Sequence, residues 1–316
     1  MSVLSPFRLQ PTFSTRTWGR RDLAPWFAVS ALPPAEEGSD PIGEAWLTGP
    51  QSTVAEGPHA GQTLASLAQT QGEALLGSFA AAAEFPLLVK LLFPNDKLSV
   101  QVHPNDAEAA ALGEGRGKTE CWYVLEAEPG ATVACGLQPG ITVEHLKASI
   151  ADGSMERLLN HLPVSAGDLV FVDAGTVHAI GPGVTILEIQ QTSDITYRLF
   201  DYGRPRELHL EKGLAVSKTE TRAGKVAATP IAHGRRLIQE QYFTVDSFPL
   251  RAGETILLED AKGKPQCFVA LRGDAEIVVD GTVTALPASS AVAVPASAGA
   301  VTIKAANDVE VVRATP

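Results

Sequence analysis

Basic residues and long apolar runs are both scarce in this chain of 316 residues. The 25 Lys and Arg residues are outnumbered by 36 Asp and Glu, which gives a formal net charge of −11. This balance argues against a nucleic-acid partner, because nucleic-acid binding requires a basic stripe. No apolar run approaches the roughly 18 residues that suggest a membrane span, so we expect no membrane partner either. An anionic substrate would have to find a locally positive pocket.

Cysteine is equally scarce. Cys121, Cys135 and Cys267 are odd in number and too scattered for a disulfide framework or a Cys-type zinc site, so we expect buried, reduced thiols. The first residues have neither the basic nor the apolar region of a signal peptide, which predicts a cytoplasmic protein. With 45% hydrophobic residues, the chain is long enough for one large or two ordinary globular domains.

Residues 98–104 alternate strictly between apolar and polar side chains, which predicts a β-strand with one face of each kind. Three side chains lie on its polar face: Ser99, Gln101 and His103. Residues 118–125 form a second strand-like run that places Lys118 and Glu120 on a common face. Residues 167–178 follow with a third strand, a glycine turn and a terminal histidine, His178.

Imidazole and carboxylate groups from these three segments form a ligand set for a divalent metal. The set suits zinc and leaves a coordination position for water or substrate. It consists of Gln101, His103, Glu120 and His178. Each residue also has a structural interpretation, because a lone strand histidine is more often hydrogen-bonded than metal-bound. The combination favours a metal, since buried polar groups need partners and one ion would supply them all.

Helical propensity is found in two segments of the chain. Residues 63–85 predict a helix, followed by a buried strand at 85–93 whose only charge is Lys90. We interpret Lys90 as a paired or snorkelling lysine, with a cationic pocket wall as the alternative. A second helical segment is predicted at 143–159. Two histidines in or beside it should be exposed to solvent: His145 and His161.

From about residue 235 onwards, short strands separated by turns predict a second all-β unit, a sandwich or jelly roll. Residues 289–299 parallel residues 167–178 in pattern but have no histidine at the corresponding place. We therefore expect a degenerate second barrel that binds no metal.

These motifs resemble those of the type I mannose-6-phosphate isomerase (phosphomannose isomerase) family, in its short bacterial form. The resemblance spans roughly two thirds of the chain in the correct order. It is carried by residues 16–19, 42–46, 87–90, 98–104, 117–123, 175–180, 188–198 and 201–204. One departure is Lys118-Thr119-Glu120, where longer relatives carry Lys-Pro-Glu. The extra helical domain of those longer relatives is largely absent as well.

The resemblance implies a mainly β fold with two cupin-type jelly-roll barrels and small helical segments. Residues 1–234 would form the metal-binding catalytic domain and residues 235–316 a degenerate cupin-like domain. It implies one zinc ion per chain on the same four ligands. The expected reaction interconverts mannose-6-phosphate and fructose-6-phosphate through a cis-enediolate, so a small sugar phosphate is the expected partner. The oligomeric state is left open.

The family's active-site arginine and motif lysine fall on Arg198 and Lys118. A guanidinium at Arg198 would stabilise enediolate charge or hold phosphate; the structural alternative is an ion pair with Asp194. Lys118 would bind phosphate or donate a proton. Ser99 would hydrogen-bond the phosphate, or instead satisfy a backbone group. Asp194 is the candidate general base, since ligated His and Glu side chains are poor bases.

Two other functions remain open at this point. One is a cupin isomerase that prefers glucose-6-phosphate. The other is a non-catalytic sugar-binding cupin, against which the presence of Lys118 and Arg198 beside all four ligands argues.

Overall fold

A computed structural model describes residues 4–316 and is built mainly of β-strands, with four α-helices and three short 3-10 helices. No helix within residues 4–316 is long and apolar enough to cross a membrane. The strands are β1 (Phe7–Gln10), β2 (Thr12–Arg20), β3 (Ile42–Trp46), β4 (Thr53–Val54), β5 (Leu87–Leu92), β6 (Val100–Val102), β7 (Glu120–Ala127), β8 (Thr132–Leu137), β9 (Leu159–Pro163), β10 (Leu169–Val172), β11 (His178–Ile180), β12 (Val184–Gln191), β13 (Tyr197–Phe200), β14 (Gly224–Val226), β15 (Thr229–Ile231), β16 (Gly234–Gln239), β17 (Thr244–Leu250), β18 (Thr255–Leu258), β19 (Gln266–Arg272), β20 (Ala275–Val279), β21 (Thr282–Leu286), β22 (Ala291–Val294), β23 (Val301–Ala305) and β24 (Val309–Thr315). The α-helices are α1 (Leu64–Leu76), α2 (Asp106–Ala111), α3 (Val143–Asp152) and α4 (Leu210–Val216), and the 3-10 helices are Val29–Ala31, Gly77–Ala82 and Met155–Leu158.

The strands form four antiparallel sheets. A seven-stranded sheet has the order β14-β10-β7-β12-β5-β3-β2, and a five-stranded sheet has the order β13-β6-β11-β8-β9. An eight-stranded sheet has the order β15-β16-β17-β24-β19-β22-β1-β4, and a four-stranded sheet has the order β18-β23-β20-β21. The mainly β prediction is confirmed. Strands β1 and β4, from the N-terminal part of the sequence, complete the sheet that holds most C-terminal strands.

Apolar clusters define how the sheets stack. The seven- and five-stranded sheets share one core, as Trp122 and Val133 illustrate, and the eight- and four-stranded sheets share another, as Phe268 and Ile277 illustrate. The two large sheets pack against each other through a third and larger core. Strand β12 is buried along its whole length because each of its faces meets one of these cores. Its four apolar residues divide between them: Leu187 and Ile189 lie in the large core, and Val184 and Ile186 in the core shared with the five-stranded sheet.

Helix α1 covers the large central core with Leu64, Leu67 and Leu75. It begins at Thr63, whose hydroxyl accepts a hydrogen bond from the Ser66 amide at 3.1 Å. The sequence predicted a helix to residue 85, but α1 ends at residue 76 because Gly77 has a positive φ of 58°. The chain continues as the 3-10 helix Gly77–Ala82, so the predicted α-helix does not extend beyond residue 76.

Several smaller predictions are confirmed. The helical segment at 143–159 is present as α3 followed by the 3-10 helix Met155–Leu158. His145 and His161 are exposed, and all three cysteines are buried free thiols. The domain boundary at 234/235 stays a prediction.

Candidate metal centre and active-site cavity

A cavity of about 460 Å³ opens between the seven-stranded sheet and the five-stranded sheet. Strands β2, β3, β5 and β12 form one wall, and β6, β11 and β13 form the other. Charged and polar side chains dominate its lining: Arg16, Asp40, Glu44, Lys90, Ser99, Gln101, Lys118, Glu188, Asp194, Arg198 and Arg206.

Three of the four predicted metal ligands meet directly behind two residues of the lining, Gln101 and Lys118. His103 follows β6, while Glu120 and His178 begin β7 and β11, and all three are at most 1% exposed. Their donor atoms lie within 4.8 Å of one another. The nearest pairs are Glu120 Oε1 to His178 Nε2 at 3.5 Å and Glu120 Oε2 to His103 Nε2 at 3.7 Å. Ligands about 2.1 Å from a tetrahedral ion are about 3.4 Å apart, so these two spacings are compatible with a tetrahedral metal ion.

Backbone carbonyls hold both imidazoles in the orientation that a metal requires. His103 donates from Nδ1 to the Ile195 carbonyl at 2.7 Å, and His178 donates from Nδ1 to the Thr176 carbonyl at 2.8 Å. Each Nε2 is therefore left as the acceptor, with Lys118 Nζ 3.2 Å from that of His103 and Gln101 Nε2 3.2 Å from that of His178. Burial lowers the pKa of His178 to about 4 and that of His103 well below its usual value, with the charge of Lys118 as a further cause. Both rings are neutral at pH 7 and can act as ligands.

Glu120 is held by the indole of Trp122, whose Nε1 donates to Oε1 at 3.1 Å. Lys118 Nζ lies 2.9 Å from the other oxygen, Oε2, as an ion pair. Apart from this ion pair, Oε2 is buried and has no hydrogen-bond partner among residues 4–316. A buried carboxylate whose two oxygens lie 3.5 Å and 3.7 Å from two imidazole nitrogens fits a metal ligand.

Gln101, the fourth predicted ligand, lies beside this group. Its Nε2 is 3.2 Å from His178 Nε2, while its Oε1 accepts a hydrogen bond from the Ser99 hydroxyl at 3.3 Å. A half-turn of the amide would direct Oε1 towards the histidines instead. The Ser99 hydroxyl could support either orientation, because a hydroxyl both donates and accepts.

The chain holds Lys118 in place through the connection between β6 and β7. A Cβ at Gly117 would lie 2.5 Å from the Asn105 backbone carbon, so only glycine allows this close approach. The Lys118 amide donates to the Pro104 carbonyl at 3.0 Å, and Gln191 accepts from the Thr119 amide at 2.9 Å. Although burial opposes its charge, the carboxylates of Glu120 and Glu188 raise the pKa of Lys118 above its usual value. Lys118 is therefore a cation in the cavity, not a base.

Lys90 proves to be both a paired lysine and part of the cavity wall. Its Nζ lies 3.5 Å from Glu188 Oε2, 3.7 Å from Asp194 Oδ1 and 4.4 Å from the centre of the Trp46 ring. Glu188 is 4% exposed and also accepts a hydrogen bond from the Trp122 indole at 3.3 Å. Sequence reasoning did not assign Glu188 a role. The sequence did contain a signal for Glu188, because this glutamate lies between the apolar residues Leu187 and Ile189 of β12. It is as unusual there as Glu120 is in β7.

Arg198 lies on β13 directly opposite Gln101 of β6, and it lines the cavity. Its Nη1 donates to the Glu207 carbonyl at 2.8 Å, and its Nε is buried without a hydrogen-bond partner. Among residues 4–316 no carboxylate forms an ion pair with it, so the alternative pair with Asp194 is not present. Partial burial and then the charge of Arg206 lower its pKa below the usual value.

Every other cation of the lining has a carboxylate partner. Arg16 pairs with Glu44 at 2.9 Å, and Arg206 donates to Asp201 through two bonds of 2.7 Å. Neither pair was assigned a role from the residues alone; Arg16 and Glu44 come from separate strands, whereas Asp201 and Arg206 share the connection between β13 and α4. Within the described lining, Arg198 is the cation that has no carboxylate partner, and it can therefore bind an anionic group of a ligand.

Comparison with known proteins gives one consistent result. Residues 6–133 match the family described as phosphomannose isomerase type I, catalytic domain. The mannose-6-phosphate isomerase of Streptococcus mutans is 38% identical over 256 residues, covering 77% of this chain and 78% of that protein. Mannose-6-phosphate isomerase ManA of Bacillus subtilis is 40% identical over 222 residues, covering 67% of each protein.

A solved structure agrees with these relatives. The crystal structure of the mannose 6-phosphate isomerase from Bacillus subtilis aligns with a TM-score of 0.83 at 28% identity, over 98% of this chain and 99% of that chain. The fold and the site thus define a cupin-like β protein with a buried group that could hold a metal. The chain belongs to the type I phosphomannose isomerase family.

Proposed function

We propose that the chain is an aldose–ketose isomerase that interconverts mannose-6-phosphate and fructose-6-phosphate. The observation that carries this proposal is the juxtaposition of two features: the unpaired cation Arg198 in the cavity, and a buried His103–Glu120–His178 group that contacts the cavity lining at Gln101 and Lys118. The first feature suits the charge of a phosphorylated substrate and the second suits a metal. The names of the relatives favour this activity over a non-catalytic sugar-binding cupin.

The proposed cofactor is one zinc ion per chain, held by Gln101, His103, Glu120 and His178. Neutral imidazoles, a buried carboxylate and ligand spacings of 3.5 Å and 3.7 Å support this assignment. When bound, zinc supplies a Lewis acid that polarises the oxygens on C1 and C2 of the sugar. The second barrel should bind none, since residues 289–299 contain no histidine.

Isomerisation moves one proton between C1 and C2 through a cis-enediolate, whose negative charge needs a fixed positive partner. Arg198 is proposed to supply this charge, because its guanidinium is not already neutralised by a carboxylate. Lys118 is proposed to hold the phosphate or donate a proton to a substrate oxygen. Its raised pKa keeps it in the protonated form that both roles need.

Asp194 is proposed as the general base. Its carboxylate lines the cavity, lies 3.7 Å from Lys90 Nζ and is 63% exposed, so its proton can exchange with water between turnovers. Ser99 is proposed to hydrogen-bond the phosphate. It is 3% exposed and lines the same cavity, with a hydroxyl that can turn from Gln101 to a ligand.

The arrangement of the sheets supports a proposal of two cupin-type jelly rolls. The seven- and five-stranded sheets would form the catalytic barrel, and the eight- and four-stranded sheets the degenerate one. We retain the proposed division at residues 234/235 for the metal-binding part, with β1, β4 and β15 crossing to the second barrel. A cytoplasmic location is proposed with it.

A coupled assay of fructose-6-phosphate formation tests the proposal. The purified protein should turn over mannose-6-phosphate with a kcat/KM well above that for glucose-6-phosphate. A preference for glucose-6-phosphate would replace the substrate assignment. Binding of mannose-6-phosphate without turnover by the zinc-loaded protein would favour the sugar-binding cupin and reject the isomerase.

A further inference from the structure

The second barrel repeats the pattern of the catalytic barrel with the charges exchanged. In the seven-stranded sheet, one row across β5, β12 and β7 reads Lys90, Glu188 and Trp122. In the eight-stranded sheet, the corresponding row across β17, β24 and β19 consists of Asp246, Arg313 and Phe268. In each barrel a buried ion pair and an aromatic residue thus occupy the central strands.

The ion pair of the second barrel is built more tightly than that of the first. Arg313 Nη2 lies 2.6 Å from Asp246 Oδ2, and Arg236 Nε lies 2.9 Å from Asp246 Oδ1. Arg313 and Asp246 are 2% and 1% exposed. Asp260 completes the group from the solvent side, accepting bonds of 2.6 Å and 2.8 Å from the two terminal nitrogens of Arg313.

A cavity of about 440 Å³ lies over this group, nearly as large as the candidate active site. It opens between β15, β16 and β17 of the large sheet and β18 of the small one, as the first cavity opens between its own two sheets. Its lining combines apolar side chains with His233, Arg236, Glu259, Asp260 and Arg313. Arg313 Nε is buried there without a hydrogen-bond partner among residues 4–316.

The charges indicate which ligand the cavity would take. Asp246 is shared by Arg236 and Arg313, so these three groups carry one surplus positive charge. Asp260 balances that charge, but its side chain is 55% exposed and follows the end of β18. The Asp260 carboxylate accepts two hydrogen bonds from the Arg313 guanidinium on its solvent side. An anionic group of a ligand would bind the guanidinium in this same position.

We propose that this cavity is a second small-molecule site, which binds the phosphate or carboxylate group of a metabolite through Arg313 and Arg236 in place of Asp260. No histidine–carboxylate group that could hold a metal lies there in the described chain. The site therefore binds its ligand without the chemistry proposed for the first cavity, and its existence does not depend on that chemistry.

Calorimetric titration of the full chain with inorganic phosphate tests this proposal. All titrations use an Arg198→Ala background, which removes the unpaired cation of the first cavity. Asp260→Asn should raise phosphate affinity about tenfold, equivalent to about 1.4 kcal/mol, because it removes the competing carboxylate charge. Adding Arg236→Gln should cancel the gain. Parallel titrations with acetate decide whether the site prefers a phosphate or a carboxylate group.

Glu259→Gln is the matched control, since Glu259 lines the same cavity but forms no ion pair with Arg313. An equal gain from Asp260→Asn and Glu259→Gln would mean a general charge effect and would overturn the proposal. Failure of both phosphate and acetate to bind the Asp260→Asn chain would overturn it too. Should Asp260→Asn not fold, Asp260→Ser serves in its place, with the same outcomes.

Discussion

Removal of Arg198 separates its role in the reaction from a role in the fold. Arg198→Ala leaves no buried carboxylate unpaired, because Arg198 has no ion-pair partner in the described chain. The variant loses one hydrogen bond, to the Glu207 carbonyl at 2.8 Å. A loss of this kind costs about 1 kcal/mol of unfolding free energy. We therefore expect a nearly unchanged melting temperature and full zinc content.

Turnover should respond very differently. The removal of one preorganised electrostatic donor commonly reduces turnover by about 10²–10³. If Arg198 stabilises the enediolate, Arg198→Ala should lose kcat by this factor. If Arg198 only holds the phosphate, KM should rise while kcat stays largely intact. The coupled assay with mannose-6-phosphate over a range of concentrations distinguishes these cases.

Arg198→Lys is the sharper variant, because it keeps the positive charge but not the planar fork. Parental kcat and KM in the lysine variant would mean that Arg198 supplies only general positive charge. Parental values in the alanine variant as well would refute a catalytic or substrate-binding role. Loss of zinc or a large drop in melting temperature would instead place Arg198 among the structural residues.

Three further changes test the surroundings of the two cavities. Lys90→Ala should lower the unfolding free energy by about 3–5 kcal/mol in denaturant titrations, because it removes the nearest cation from buried Glu188; a loss below 1 kcal/mol would contradict this account. Gly117→Ala should reduce kcat while zinc is retained, since its Cβ would lie 2.5 Å from the Asn105 backbone and displace the following lysine; parental kcat would refute this. Hydrogen bonds from Arg313 lower the pKa of Asp260, so its contribution to stability is present above pH 4 and is lost as the pH falls further. Asp260→Asn should therefore be less stable than the parent at pH 7, with a gap that narrows towards pH 3 in urea unfolding; a gap independent of pH would count against the ion pair.

The strands that carry the metal ligands could be predicted because their residues alternate with period two. Alternation placed Gln101 and His103 on one face, and it identified Glu120 as a polar residue in an apolar strand. The structure brings His103, Glu120 and His178 within 4.8 Å of one another, although each begins or follows a different strand. The ligand assignment and the catalytic roles themselves remain proposals.

Other features could not be predicted because they depend on contacts between distant segments. Hydrophobic periodicity and secondary-structure propensity do not reveal that β1 pairs with β22. Nor do they reveal that Arg16 on β2 forms an ion pair with Glu44 on β3. The pairing of Lys90 with Glu188 requires the register of β5 and β12, which no local pattern supplies. The ion pair of Asp246 and Arg313 in the eight-stranded sheet became visible for the same reason only in the assembled sheet.

The most direct test of the account is isomerase activity measured together with metal content. The purified protein should contain about one zinc per chain. Dialysis against a chelator should abolish conversion of mannose-6-phosphate, and one equivalent of zinc should restore it. His103→Ala and His178→Ala should lose both metal and activity. Full activity after complete removal of metal, or full metal content in both histidine variants, would contradict the account.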